Sequence, residues 1–257
     1  MTTNQLPGTF TCNVCSAPNP LPASDMRMGR EGGHCSACGS TVRLRAMIRL
    51  LSLGLFGRAL AIDRFPLRAD LVGWGLSDWH GYAEGLAGKL GYRNTFFHRE
   101  PRVDIAAPPR DALGTLDFLI ASDVFEHVPP PVSRAFEGAH ALLKPGGLLV
   151  FSVPFSIKID ATEEHFPELH DYALVDEHGR QSLRNRTRDG REQVFDELKF
   201  HGGDGATLEM RKFELEALNA DLARAGFSAT LHGEDAPEWG VVWTQGWSVP
   251  MLARRDG

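Results

Sequence analysis

The chain has no apolar run approaching the length of a membrane span, and its opening residues, MTTNQLPGTF, lack the apolar core of an export signal. A cytoplasmic protein with no membrane partner is the expectation. Positive charge is not in excess either. With 27 Lys and Arg against 33 Asp and Glu, the net charge of −6 argues against bulk nucleic-acid binding, although it leaves room for a local basic patch. No internal repeat or low-complexity tract is present. What remains is ordinary globular composition, 42% hydrophobic and 23% charged, over 257 residues, enough for one large domain or two unequal ones.

Cysteine is scarce, and all four copies fall in one pattern: Cys12 and Cys15, then nineteen residues, then Cys35 and Cys38. Two C-x2-C knuckles present four thiolates, which satisfy tetrahedral zinc with no open position, so the metal is expected to be structural. Disulfides are the alternative, disfavoured by the inferred reducing compartment and by the spacing. Residues 1–40 therefore read as a zinc ribbon, with His34 a bystander; zinc contributes roughly 10 to 16 kcal/mol to the folding of small modules of this kind. Residues 41–67 read as a connecting helix and linker. Ser40 or Thr41 can cap the helix, Leu44, Met47, Ile48 and Leu51 share a face, and Gly54 lies near the expected end. Arg43, Arg45 and Arg49 are placed on or beside the polar face and join Arg27 and Arg30 as the most basic neighbourhood. A solvated face is one reading of them, an RNA or phosphate contact the sharper one.

The richest stretch is residues 116–154. Leu116 to Ala121 is an apolar run of the kind a parallel sheet buries on both faces, and it ends in Ser122, Asp123, Glu126 and His127. Pro129 to Pro131 set up a helix start, and Val132, Ala135, Phe136, Ala139, Leu142 and Leu143 recur at helical spacing. Lys144-Pro145-Gly146-Gly147 ends the helix, and Leu148 to Val153 is the next apolar run. This is a strand-helix-strand crossover, and ligands sit at the carboxyl ends of such strands.

Asp117-Phe118, the Val124-Phe125-Glu126-His127-Val128 signature and the Leu143-Lys144-Pro145-Gly146-Gly147 turn together resemble class I S-adenosylmethionine-dependent methyltransferases. The resemblance implies an α/β fold: a Rossmann-like sheet over residues 68–257, preceded by the zinc ribbon and interrupted by an acceptor-binding insertion at 155–212. It also implies where the methyl donor lies. Gly73, Gly75, Ser77 and Asp78 form the glycine turn after the first strand, where the family holds the donor's methionine portion. The usual acidic residue and third glycine of that motif are absent, and a second register would make this strand the family's second, with the motif eroded upstream in Ala59 to Arg64. His98 and Glu100 follow the next strand, expected at Asn94 to Phe97, with Glu100 the candidate for the ribose diol. Asp104 in Val103-Asp104-Ile105 resembles the acidic loop that holds the adenine amine. Ser122 and Asp123 complete the donor-side set.

For the chemistry, a base near the donor is required if the acceptor carries a proton. His127 is the first candidate because imidazole titrates near neutrality, and burial of the same ring against the next helix is the competing explanation. Glu126, Asp123 and His165 complete the catalytic candidates. Asp123, Glu126 and His127 also resemble the two-carboxylate, one-histidine site of metal-assisted O-methyltransferases, so a divalent cation there is a further candidate. The segment from Ala161 to Gly205 is expected to be irregular and to fold over the site, with Arg184, Arg186, Arg188 and Arg191 holding an anionic acceptor or pairing with nearby acids. A helix from Leu215 to Ala225, a strand from Phe227 and a last strand from Ser248 end the fold. The expected reaction is methylation of a small-molecule or saccharide acceptor, most simply at oxygen. RNA base methylation and a degenerate fold serving as a binding module are the alternatives.

Overall fold

The structure is a computed structural model that describes residues 8–21, 29–201, 207–244 and 246–257; Arg27 and the side chain of His201 lie outside the described residues. Two short strands, β1 (Thr9–Thr11) and β2 (Pro18–Pro20), pair antiparallel around the first cysteine knuckle. Helix α1 (Val42–Phe56) follows, its first turn capped by the Thr41 side chain and its end closed by Gly57 in the left-handed conformation. Gly54 lies inside the helix and faces Leu148, where a Cβ would stand 2.6 Å from Leu148 Cδ1 and the leucine tip would have to shift.

Next come β3 (Arg68–Leu76), α2 (His80–Ala87), β4 (Leu90–Thr95), β5 (Leu116–Ser122), α3 (Ser133–Leu142) and β6 (Leu143–Ser152). Leu90 opens β4 instead of ending α2, so the helix is shorter and the strand earlier than the apolar spacing implies. The insertion is not irregular. It forms β7 (Phe155–Ser156), β8 (Glu163–Glu164), a meander of β9 (Asp171–Glu177), β10 (Arg180–Arg186) and β11 (Glu192–Phe195), then β12 (Phe200–His201), β13 (Thr207–Leu208) and β14 (Arg211–Glu214). Its strands expose most of their residues and bury only a small core of Phe166, Leu183, Leu208 and Met210, which is why it reads as loop in the sequence. Helix α4 (Leu215–Arg224) and strands β15 (Phe227–Leu231) and β16 (Met251–Arg255) finish the chain.

Six strands form the main sheet in the order β15-β16-β6-β5-β3-β4, with β16 antiparallel to both neighbours and the rest parallel. β3 lies between β4 and β5, which makes it the first strand of the doubly wound sheet and removes the alternative register. Alternate residues face opposite layers. Leu119, Leu149 and Phe151 pack with α3 and α4, whereas Phe118, Ile120, Leu148 and Val150 pack with α1, α2 and the cysteine unit. Asp117 fastens the amino end of β5 by accepting from Lys144 Nζ at 2.8 Å and from Val72 N at 2.8 Å, so this aspartate and lysine are structural and stand at the opposite edge from the strand ends.

The glycines of β3 have an internal cause. A Cβ on Gly73 would lie 2.3 to 2.4 Å from three atoms of the buried Phe118 ring, which stacks on Tyr92. A Cβ on Gly75 would lie 2.0 Å from Asp78 Oδ2 and 2.1 Å from Tyr92 Oη, the two atoms of a 2.7 Å hydrogen bond donated by the phenol. Asp78 is 5% exposed, and burial pushes its carboxyl up to about 7 despite Tyr92, Tyr82 and the nearby Arg43 charge.

Two outcomes follow from this packing. Gly73→Ala should lower unfolding free energy by about 1 to 3 kcal/mol, the usual cost of overpacking, and most of that should return when Phe118→Leu is added. A denaturant double-mutant cycle reads both. Because the folded state keeps the Asp78 proton up to about 7 and the unfolded state releases it near 4, folding binds a proton in that window and stability falls as pH rises through it. Asp78→Asn should remove about 2 to 3 kcal/mol of the stability difference between pH 5 and pH 8. An unchanged difference in denaturant curves would show that Asp78 is ionised when folded.

Candidate functional site

The four cysteine sulfurs converge within 4.8 Å of one another, with Cys12 Sγ 3.7 Å from Cys38 Sγ and Cys15 Sγ 3.6 Å from Cys35 Sγ. Disulfide sulfurs are about 2.05 Å apart, whereas sulfurs around a tetrahedral zinc with bonds of about 2.3 Å stand about 3.8 Å apart. The set fits zinc and not disulfides. Among the described residues it is the one cluster of three or more metal-ligating side chains. Donors surround it: Ser40 Oγ lies 3.2 Å from Cys12 Sγ and 3.4 Å from Cys38 Sγ, and Asn19 Nδ2 donates to Cys35 Sγ at 3.3 Å. Burial acts to raise the Cys35 thiol, but the backbone N–H groups of Cys38 and Ala37, with Asn19, bring it down to about 6.

The arginines of α1 do not form a solvated or RNA-facing surface. Arg45 is fully buried, gives hydrogen bonds to the carbonyls of Ser40, Trp239 and Gly240, lies 4.7 Å from the Phe10 ring centroid and reaches Ser40 Oγ at 3.5 Å. No carboxylate is among these partners. Its charge faces the thiolates through Ser40, the hydroxyl that contacts two of them. Arg49 pairs with Glu234 at 2.9 Å. Arg43 turns toward the sheet.

At the carboxyl ends of β5 and β6, Asp123 sits in the left-handed conformation at φ 54° and accepts from Ser152 Oγ at 2.7 Å. Arg30 Nη2 reaches both Asp123 oxygens at 2.6 and 2.7 Å, and Arg43 Nε lies 3.5 Å from Oδ2. Arg43 Nη1 also donates to Ser122 Oγ. Burial works to raise the Asp123 carboxyl, but Arg43 and Arg30 outweigh it and hold it at about 2. Asp123 therefore does not join Glu126 and His127 as a cation ligand: two guanidiniums already compensate its charge. The expected divalent-cation triad is not formed.

The turn after β5 is held by the insertion. Arg211, fully buried, donates from Nη1 to the carbonyls of Phe125 and Val128 at 3.1 and 2.7 Å and from Nε to Glu164 at 2.7 Å; Met210 N donates to the Glu126 carbonyl at 2.8 Å. Glu126 is buried. His127 Nδ1 lies 2.8 Å from the Leu208 carbonyl, and its Nε2 lies 3.9 Å from Glu126 Oε1. A carbonyl only accepts, so in the neutral ring the proton belongs on Nδ1 and Nε2 is the basic nitrogen. His165 is paired through Nε2 with Glu209 at 2.9 Å, with Lys199 Nζ 3.4 Å from Nδ1.

The remaining donor-side candidates spread along the sheet edge. Ser77 is exposed with φ 58°, His98 and Glu100 are exposed, Glu100 accepts from Arg102 N at 3.0 Å, and half-buried Asp104 accepts from Ala106 N at 2.9 Å. Asp78 faces inward onto Tyr92. The arginines of the insertion pair with local acids, Arg184 with Glu177 and Arg191 with Glu168 and Asp189. Sequence reasoning missed Arg30 and Arg43 at the strand ends, Arg45 beside the thiolates and Arg211 under the turn. One signal was available: positions 43 and 45 are two residues apart and lie on opposite sides of a helix, so both could not share one polar face.

A methyltransferase-domain family matches residues 58–231, more than half of the chain. No curated protein matches. Solved structures similar to this chain include an S-adenosylmethionine-dependent methyltransferase from Clostridium acetobutylicum, 13% identical over 76% of this chain and 87% of that one, with a TM-score of 0.45. Another is an amino pentose methyltransferase of calicheamicin biosynthesis from Micromonospora echinaspora, 18% identical over 84% of this chain and 92% of that one, TM-score 0.45. The family match joins the doubly wound sheet with its antiparallel β16, and no assignment rests on the distant structural likenesses. The chain belongs to the methyltransferase-domain family and is an S-adenosylmethionine-dependent methyltransferase of Rossmann-like, class I architecture.

Proposed function

We propose that the chain methylates a hydroxyl of a small-molecule or saccharide acceptor, with His127 as the base. The supporting observation is the way the insertion holds that ring: the Leu208 carbonyl takes Nδ1–H, which makes Nε2 the basic nitrogen, with Glu126 Oε1 3.9 Å from it. S-adenosylmethionine, once bound, supplies a methyl group on a sulfonium, a leaving group that needs no further activation. The chain's own work is then to align the acceptor oxygen in line with the methyl group and to receive its proton at Nε2 as the oxygen–carbon bond forms. Glu100 is assigned to the donor's ribose diol and Asp104 to its adenine amine. RNA is not favoured, because the α1 arginines that nominated it turn toward Asp123, the thiolates and Glu234.

Calorimetric titration of the zinc-loaded chain with S-adenosylmethionine and S-adenosylhomocysteine tests the donor assignment. Micromolar binding is expected, weakened about 10-fold or more in Glu100→Ala and Asp104→Ala, as loss of a hydrogen bond to a charged group implies. Absence of heat with either ligand in a folded chain would sink the reading.

Zinc is assigned to Cys12, Cys15, Cys35 and Cys38, a dianionic site that Arg45 offsets. Metal analysis should return about one zinc per chain. Arg45→Met should lower zinc affinity about 10-fold or more in competition with a chromophoric chelator, because a tetrathiolate centre then lacks its buried counter-charge. Equal affinity would reduce Arg45 to a strut.

A further inference from the structure

Arg43 makes two kinds of contact. On its inner side it holds Ser122 Oγ and lies 3.5 Å from Asp123 Oδ2; on its outer side it grips Glu31 with two parallel bonds, Nε to Oε1 at 2.5 Å and Nη2 to Oε2 at 3.0 Å. The inner partners are sheltered, Arg43 and Asp123 being 15% and 17% exposed, while Glu31 is 53% exposed. Glu31, which also lies 3.3 Å from Arg30 Nε, is the solvent-reached member of this group, so it is the partner able to leave while Arg43 stays in place. What it would leave is a fixed guanidinium fork of the shape that binds a carboxylate in two places.

The position of that fork identifies a ligand chemistry. It stands over the carboxyl end of β5, and its charge acts on Asp78 and Tyr82, which follow the neighbouring strand β3. Beside it the carboxylate of Asp123 is already taken up by Arg30 and Ser152, so the fork that Glu31 would vacate is what these strand ends offer, and it complements the carboxylate at the amino-acid end of a ligand. The geometry points to Arg43 as the residue that recognises the methionyl carboxylate of the donor, with Glu31 as a place-holder that this carboxylate displaces. The inference rests on the donor reading above and adds to it that the cysteine unit and α1 supply part of the donor site. No bond is made or broken; one carboxylate exchanges for another.

The test compares S-adenosylhomocysteine with 5′-methylthioadenosine, which shares the nucleoside and thioether but has no amino-acid end. Both are titrated calorimetrically into the zinc-loaded full chain. Arg43→Ala should weaken S-adenosylhomocysteine about 10- to 100-fold and leave 5′-methylthioadenosine within about 2-fold, the second ligand reporting that the site is still folded. Glu31→Gln should tighten S-adenosylhomocysteine a few-fold, because the internal competitor has lost its charge, and should not affect the shorter ligand. Arg43→Lys should recover only part of the loss. Equal weakening of both ligands by Arg43→Ala, or of neither, would overturn the assignment while the donor reading stands. Failure of the wild-type chain to bind either ligand would remove the donor reading and this inference with it.

Discussion

An ionised carboxylate at the end of two central strands has to be compensated, and that requirement organises the molecule. Asp123 is buried deeply enough that desolvation alone would raise its pKa, yet it sits at about 2 because Arg43 and Arg30 outweigh the burial. Both guanidiniums come from outside the sheet, one from the loop before Cys35 and one from the first turn of α1. The N-terminal unit is thereby joined to the strand ends by charge as well as by the apolar layer of α1 against β6 and β16. Removing either arginine leaves a carboxylate half-compensated in a poorly hydrated place.

Two further arginines solve a different problem. Arg45 and Arg211 are both fully buried and both spend their donors chiefly on main-chain carbonyls: Ser40, Trp239 and Gly240 for one, Phe125 and Val128 for the other. Loops that pass under other loops carry carbonyls no strand or helix can satisfy, and a planar five-donor group closes several at once. Arg45 does so where the cysteine unit meets the loop around Trp239, and Arg211 where the insertion meets the turn bearing Glu126 and His127. The base proposed for catalysis is thus oriented by the insertion through Leu208, and its turn is fixed through Met210 and Arg211.

The parts of this architecture legible in the sequence were those with a periodic or spacing signature. The run Leu116 to Ala121, the helix through Phe136 and Ala139, the cysteine knuckles, the terminal helix and the strand from Phe227 stand where spacing placed them, while the last strand begins at Met251, three residues after the expected Ser248. The insertion was misread because its strands face solvent and bury few residues, so alternation had nothing to display. The basic character of α1 was misread for a related reason: burial all round the helix hides which residue meets which partner, and a buried arginine has the same letter as a solvated one. At the candidate site, His127 could be nominated from its place after a strand, but its tautomer depends on Leu208, eighty-one residues away in sequence. No local pattern carries that contact. The glycines of β3 mislead in the opposite direction, since a glycine beside a strand end suggests a ligand while Gly73 and Gly75 are required here by Phe118, Tyr92 and Asp78.

The two aspartates that follow β3 and β5 show how one set of charges divides two roles. Asp78 has a phenol for a partner and no guanidinium in hydrogen-bond contact, and its carboxyl is held up at about 7; Asp123 has two guanidiniums and is held down at about 2. Their contributions to stability have opposite signs. The first is favourable at low pH and fades as pH rises toward 7, whereas the second is present above about 4 and is lost as pH falls toward 2. Between those limits the carboxyl end of the sheet carries one neutral and one ionised carboxyl after neighbouring strands. The ionised one is spent on Arg43 and Arg30, so what the strand ends can offer a ligand is the outer fork of Arg43 that Glu31 occupies.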